Sequence, residues 1–195
     1  VSVSSMDRSF SLDDTVAAAL QDVQTVTSAG RSVVPVIEGV QLHSPVNHVD
    51  HRGRVFEIYP GASEFWHEPV VYCYAWTVRP ATSKGWGLHQ EKDDRYTLIS
   101  GEALTVLFDA RSDSPTHGLV QKVPLSPQGT RQILIPRGVW HITLNLSTTE
   151  TFLINHPTRV YRHEAPDRLL LPWDSPAIPV DPAALTIGSA VGSAG

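Results

Sequence analysis

Two histidines are the residues of this chain best placed to move a proton. They are His89, in Gly87-Leu88-His89-Gln90-Glu91, and His141, in Pro136-Arg137-Gly138-Val139-Trp140-His141-Ile142-Thr143-Leu144-Asn145. An imidazole titrates near neutrality, so it accepts and returns protons at physiological pH. Pro136 and Gly138 supply a turn that a strand interior does not hold. The next strand runs from Trp140, and alternate residues of a strand share a face. His141, Thr143 and Asn145 therefore point one way, and Trp140, Ile142 and Leu144 the other. Such a polar face suits a cavity lining better than a dry core. The same alternation puts His89 and Glu91 on one face. With His141 they make a two-histidine, one-carboxylate set, a recurrent iron or manganese site. The plainer readings are a surface histidine on a turn for His89 and a structural hydrogen bond for His141.

These side chains need a scaffold of short strands. Strands are expected over 34–42, 54–59, 70–79, 96–99, 103–108, 119–125, 132–135, 140–146 and 151–155. Asp50-His51-Arg52-Gly53 reads as a turn, and Ser100-Gly101-Glu102 as a hairpin turn. Many short strands with Gly, Pro, Asn or Asp at the joints predict an all-β sandwich or barrel. Ahead of them, Ser11 and Asp14 form a helix start, and Leu12, Val16, Leu20 and Val23 recur at helical spacing up to Gly30. Residues 1–31 therefore read as an extension with a helix, either packed on the barrel or used for docking. After Pro157 the chain carries Pro166, Pro172, Pro176, Pro179 and Pro182, which predicts an extended arm with one short helical turn. Residues 183–195 are small and polar and read as a flexible tail. The barrel domain is then 32–182.

Composition narrows the function classes. The chain has 195 residues, 41% of them hydrophobic, enough for one domain with a sizeable core. The formal net charge of -5 and the lack of a basic run argue against nucleic acid as a partner. A nucleotide-sized ligand needs only one or two well-placed arginines. Cys73 is the single cysteine, so no intrachain disulfide forms, which fits a reducing cytoplasm. No apolar run approaches a membrane span, and no charged-then-apolar leader is visible.

The P-x-G-x-x-H-x-x-x-N spacing of 136–145 matches the second signature of the cupin barrels, and the G-L-H segment occupies the place of the first. The chain also resembles one family in particular. Asp50-His51-Arg52-Gly53-Arg54-Val55-Phe56-Glu57 looks like the D-x-R-G-x-F-x-E segment of the dTDP-4-dehydrorhamnose 3,5-epimerases. Gly87-Leu88-His89-Gln90 looks like their R-G-L-H-x-Q, and Gly101-Glu102 through Asp109-Ala110-Arg111 and Ser114-Pro115-Thr116-His117-Gly118 like their G-E…D-x-R-x-x-S-P-T-x-G block. Gln132 to His141 follows Q-L-x-I-P-P-G-x-x-H, and Trp173-Asp174-Ser175-Pro176 resembles W-x-D-P. The motifs run from about Ile37 to Pro182 in the family order.

The resemblance implies a cupin jelly roll and an epimerase or isomerase acting on a nucleotide-diphospho-4-keto-6-deoxy sugar. Each inversion removes a proton alpha to the C4 ketone and returns one to the opposite face, without metal or cofactor. It implies His89 as the general base, and Arg52 on the diphosphate, where a guanidinium forks onto phosphate oxygens. Phe56 and Glu57 fall on the nucleotide side, and His141 holds the sugar. Asn145 and Tyr161 join the substrate-binding set. It also implies a homodimer paired near the N-terminal strands. The sequence departs from the pattern at four places. Trp86 replaces an arginine. Asp94 or Arg95 stands where a lysine is expected, so that role is either lost or moved to Arg95. Ile154 and Asn155 stand where the acid tyrosine follows Phe152-Leu153, and Tyr72, Tyr74 and Tyr161 are possible substitutes. The aspartate partner of the base has no match beyond Asp174 and Asp181. Partial or altered activity, a non-catalytic nucleotide-sugar binder, and a metal cupin using His89, Glu91 and His141 are the alternatives.

Overall fold

The computed structural model describes residues 11–181 and residue 185. The chain divides into two compact units, residues 1–35 and 36–195. In the first, helix α1 spans Leu12–Ala17, opened by a capping box between Ser11 and Asp14. The apolar spacing predicted a helix up to Gly30; the helix stops after six residues and buries none of them. An isolated segment this short gains too few backbone bonds to extend itself.

The second unit is built almost entirely of strands. They are β1 (Gln41–His43), β2 (His48–Asp50), β3 (Gly53–Val55), β4 (Tyr74–Val78), β5 (Ser83–Leu88), β6 (Asp94–Ser100), β7 (Ala103–Asp109), β8 (Val120–Leu125), β9 (Gln132–Ile135), β10 (Val139–Asn145), β11 (Thr151–Asn155) and β12 (Leu169–Leu170). One five-stranded antiparallel sheet has the order β1-β9-β6-β11-β4 and the other β12-β5-β10-β7-β8, while β2 and β3 form a separate ribbon. This is the expected all-β jelly roll. The core lies between the sheets, where Val78, Leu98 and Leu153 of the first meet Leu107, Val123, Leu125 and Val139 of the second. The outer face of the second sheet is covered as well. Ile142, Leu144 and Trp140 of β10 pack with Leu171, Ile178, Val180 and Leu185, which belong to the chain beyond β11. The proline-rich arm thus adds a layer, and it carries the short strand β12. Most of the sequence read as a flexible tail lies outside the described residues.

Three expectations change. Residues 34–42 give only β1, because Pro35 has no N–H to donate and the Ile37 N–H bonds to the Gln121 side chain at 2.9 Å. Ser100-Gly101-Glu102 is not a hairpin turn: β6 and β7 belong to different sheets, so these residues carry the chain across the barrel edge. Strand β5 lies outside the strand ranges expected above, because Gly85 and Gly87 interrupt its side-chain alternation; the strand expected at His89 ends at Leu88 instead. It pairs with β10, with His141 opposite Gly87.

Candidate active site

Gly138, at φ +80°, turns the chain into β10, and alternation then aims His141 inward, on the face of Val139 and Thr143. Trp140 and Ile142 face outward into the arm-covered layer. His89 follows the end of β5, on the neighbouring strand of the same sheet. The two rings are tilted against each other with centroids 5.7 Å apart. Across the interior, β6 of the opposite sheet contributes Asp94 and Tyr96, and β4 contributes Tyr74 and Trp76. The two histidines, Tyr96, Tyr74 and Trp76 line a cavity of about 430 Å³, which also takes in Lys84, Lys92, Tyr161 and Arg168, while Asp94 itself is buried. An adjoining cavity of about 570 Å³ shares Lys92 and Tyr161 and adds Arg137, Arg159 and Arg162.

Asp94 is the centre of the site. Its Oδ2 lies 3.2 Å from His89 Nε2 and 3.7 Å from His141 Nε2, and Oδ1 lies 3.6 Å from Lys92 Nζ. Tyr96 donates its hydroxyl to Oδ2 at 3.1 Å, and Asn155 donates Nδ2 to Oδ1 at 2.8 Å. Burial pushes the Asp94 carboxyl up, but the hydrogen bond and charge of His89, with His141 and Lys92, outweigh it and hold the group well below the usual carboxylate range. Asp94 is therefore an anion inside the barrel. Burial pushes His141 down to about 4, against the pull of Asp94, so His141 is neutral at physiological pH.

The other nitrogen of each ring is tied to backbone. His141 Nδ1 meets the Val139 carbonyl at 3.2 Å, and His89 Nδ1 meets the carbonyl of Asp167. Asp167 belongs to the arm, and its carboxylate also accepts the amides of Gln90 and Glu91 at 2.8 and 2.9 Å. The arm thereby fixes the His89 loop. With each Nδ1 turned to a backbone carbonyl, each Nε2 faces Asp94, and a proton taken at His89 Nε2 is held by that carboxylate at 3.2 Å.

The sequence-predicted residues separate into two groups. His89, His141 and Tyr161 come together at the cavity. Glu91 does not join them: β5 ends at Leu88, the strand phase lapses, and Glu91 is exposed in an ion pair with Arg162 at 2.6 Å. Arg95 lies on the opposite face of β6 from Asp94. Its guanidinium donates to the carbonyls of Glu68, Pro69 and His156 and sits 4.8 Å over the Trp66 ring. Asn145 shares the inward face with His141 but is used up by the carbonyls of Val78 and Thr149 and the amide of Ser147. Arg52 sits at the tip of the β2–β3 ribbon, exposed and paired with Asp50. Phe56 lies under the Arg131 guanidinium and Glu57 is exposed, and neither lines the cavity of its own chain. The residues that sequence reasoning passed over are Asp94 as a site residue, Lys84, Lys92, Asp167 and Arg168. The aspartate that the resemblance implies beside His89 was sought in the far C-terminus, and Asp94 was weighed only as a lysine replacement.

The family model for dTDP-4-dehydrorhamnose 3,5-epimerase matches residues 35–190. The chain belongs to that family. It is 29% identical over 143 residues to the "probable low-salt glycan biosynthesis epimerase" of Haloferax volcanii, covering 72% of this chain and 91% of that protein. It is also 29% identical over 126 residues to the dTDP-4-dehydro-6-deoxyglucose 3-epimerase of Streptomyces bikiniensis, covering 60% of this chain and 63% of that one. The crystal structure of a dTDP sugar isomerase from Desulfovibrio desulfuricans superposes with a TM-score of 0.70 at 26% identity, over 75% of this chain and 92% of the other. Family membership and these relatives agree with the jelly roll and with epimerase chemistry.

Proposed function

We propose that this protein is an epimerase acting on a nucleotide-diphospho-4-keto-6-deoxy sugar, with His89 removing a proton alpha to the C4 ketone. The observation that carries this is the fixed imidazole of His89. The Asp167 carbonyl holds Nδ1, so Nε2 exchanges protons in the cavity, and Asp94 at 3.2 Å stabilises the imidazolium that results. The neutral His141 hydrogen-bonds the sugar, and Tyr161 lies where the two cavities join. Lys84, Lys92 and Arg168 supply positive charge for the enolate oxygen and the first phosphate. Family membership supports the reaction class, and the relatives named as dTDP-sugar epimerases support the substrate class.

The protein is read as a cytoplasmic homodimer. The β2–β3 ribbon supports pairing, because it joins neither barrel sheet and every residue of its two strands is exposed. Arg52, Phe56 and Glu57 then reach a nucleotide through the pairing, since they lie off the cavity of their own chain.

The test is proton exchange. With dTDP-4-keto-6-deoxyglucose in heavy water, the wild type is expected to incorporate deuterium at C3 or C5, read by NMR, and His89→Asn to incorporate none. Binding without exchange by the wild type would replace this reading with that of a sugar-nucleotide binder.

One observation favours a second reading. His89 Nε2, His141 Nε2 and an Asp94 oxygen lie within 4.8 Å of one another, and both Nδ1 atoms face backbone carbonyls. That is a two-histidine, one-carboxylate set for a divalent transition metal, with Asp94 in place of Glu91. The Lys92 ammonium beside Asp94 counts against it. Stoichiometric metal in the purified protein, lost in Asp94→Asn, would establish this reading and remove His89 as the base.

A further inference from the structure

Inversion needs a second proton donor on the face of the sugar opposite the base, and the position after Phe152-Leu153 holds no tyrosine. On β11, Leu153 and Asn155 face the interior, while Ile154 faces outward. The inward place is therefore filled by Asn155. Strand register sets Asn155 directly opposite Tyr74 on β4, and cross-strand partners present their side chains to the same face. The Asn155 amide donates to the Tyr74 hydroxyl at 2.9 Å and to Asp94 at 2.8 Å.

Four tyrosines line the cavity, and their surroundings separate them. The Tyr96 hydroxyl proton is committed to Asp94 at 3.1 Å. Tyr161 belongs to the segment after β11 and packs on His163. Tyr72 precedes β4 in irregular chain, beside the Tyr74 ring at 5.9 Å. Tyr74 is held on a strand of the first sheet, whereas His89 and His141 belong to the second. Its oxygen accepts from Asn155, so its own proton is available to the cavity.

We propose that Tyr74 is the general acid of this enzyme, a role carried one strand across from the position where the sequence pattern expects it. The inference rests on His89 being the base. His89 Nε2 takes the proton from the carbon next to the ketone, and the C–H electron pair moves to make the enolate, with its charge on the C4 oxygen. Tyr74 then gives its proton to the same carbon from the other sheet, the enolate electrons form the new C–H bond, and the ketone is restored. The tyrosinate left behind accepts the Asn155 amide. Solvent takes the proton from the imidazolium and returns one to Tyr74, so protons and charge balance over the cycle. Burial, with the charge of Asp94, pushes Tyr74 up to about 12 against the Asn155 hydrogen bond, which keeps it protonated at neutral pH.

The experiment compares wild type with Tyr74→Phe on dTDP-4-keto-6-deoxyglucose in heavy water, following deuterium uptake and configuration separately. The variant is expected to keep deuterium uptake within a few-fold while inversion falls by about 100-fold or more. The deuterium should then appear with the original configuration. Wild-type inversion by Tyr74→Phe overturns the proposal and leaves His89 as the base. Loss of uptake together with inversion, with nucleotide-sugar binding intact by calorimetry, overturns it too, because Tyr74 would then serve proton removal. No uptake by the wild type overturns this and the base assignment alike. Where Tyr74→Phe does not bind, 3-fluorotyrosine at position 74 decides. A more acidic phenol should move the alkaline limb of the inversion rate to lower pH, and an unmoved limb overturns the proposal.

Discussion

At the residue scale the site depends on one buried anion and the groups that face it. Asp94 is 1% exposed, and the imidazoles, Lys92, Tyr96 and Asn155 meet both of its oxygens. His141 is the member with the clearest pH signature. Its folded value of about 4 lies below the 6.5 of the free side chain. Between those values the unfolded chain binds a proton that the folded chain does not. Stability is therefore flat above pH 6.5 and falls as the pH drops from about 6.5 to about 4, by at most about 3 kcal/mol from this residue. His156, also pushed down by burial, acts in the same direction. Urea midpoints measured across that window should show the slope, and His141→Gln should lose most of it. An unchanged slope in that variant would assign the pH dependence to other groups.

At the scale of elements, the pairing of β5 with β10 brings the two histidines together. Gly85 makes that pairing possible. Its φ is +126°, and an added Cβ would stand 2.5 Å from the His141 carbonyl oxygen and 2.6 Å from the Ile142 Cα. Both are backbone atoms of β10, so no side-chain rotation relieves the clash. Gly85→Ala is expected to cost roughly 2–4 kcal/mol by combining backbone strain with overpacking. It should also lower activity in the protein that still folds, because β5 carries His89 into place. A melting temperature equal to wild type would show that β5 stands off β10 more than these distances imply. The arm is the other element with a direct hold on chemistry. Asp167 holds both the His89 ring and the two amides that follow it, so the arm sets the position of His89.

At the scale of the whole molecule, Arg52, proposed to bind the diphosphate, tests how many chains make one site. Arg52 is exposed on a ribbon outside both barrel sheets, and its contact with Asp50 is a surface pair of small worth. Light scattering at micromolar concentration should give twice the chain mass. Arg52→Ala should then weaken nucleotide-sugar binding roughly 10- to 100-fold by calorimetry, since a bidentate arginine–phosphate contact is lost. A monomeric mass with unchanged affinity would move the phosphates to the basic cavity of Arg137, Arg159 and Arg162.

The sequence by itself determined the jelly roll and placed both histidines. The Pro136–Gly138 turn followed by alternation on β10 needs only local geometry, and the ordered motifs reach from the ribbon to the arm. It did not determine which neighbour of a strand faces inward where the starting phase was unknown. Asp94 and Arg95 are adjacent, and one step along β6 separates the centre of the site from a structural arginine under the opposite surface. Glu91 was misplaced for a related reason: alternation holds only while the strand lasts, and β5 ends at Leu88. The second sheet's outer layer was hidden because Ile142 and Leu144 are covered by residues far along the chain. Asp167 was hidden because it meets His89 across 78 positions of sequence. Those contacts are made by the tertiary fold, which pairs β12 with β5 and Asn155 with Tyr74, and no spacing within the sequence encodes them.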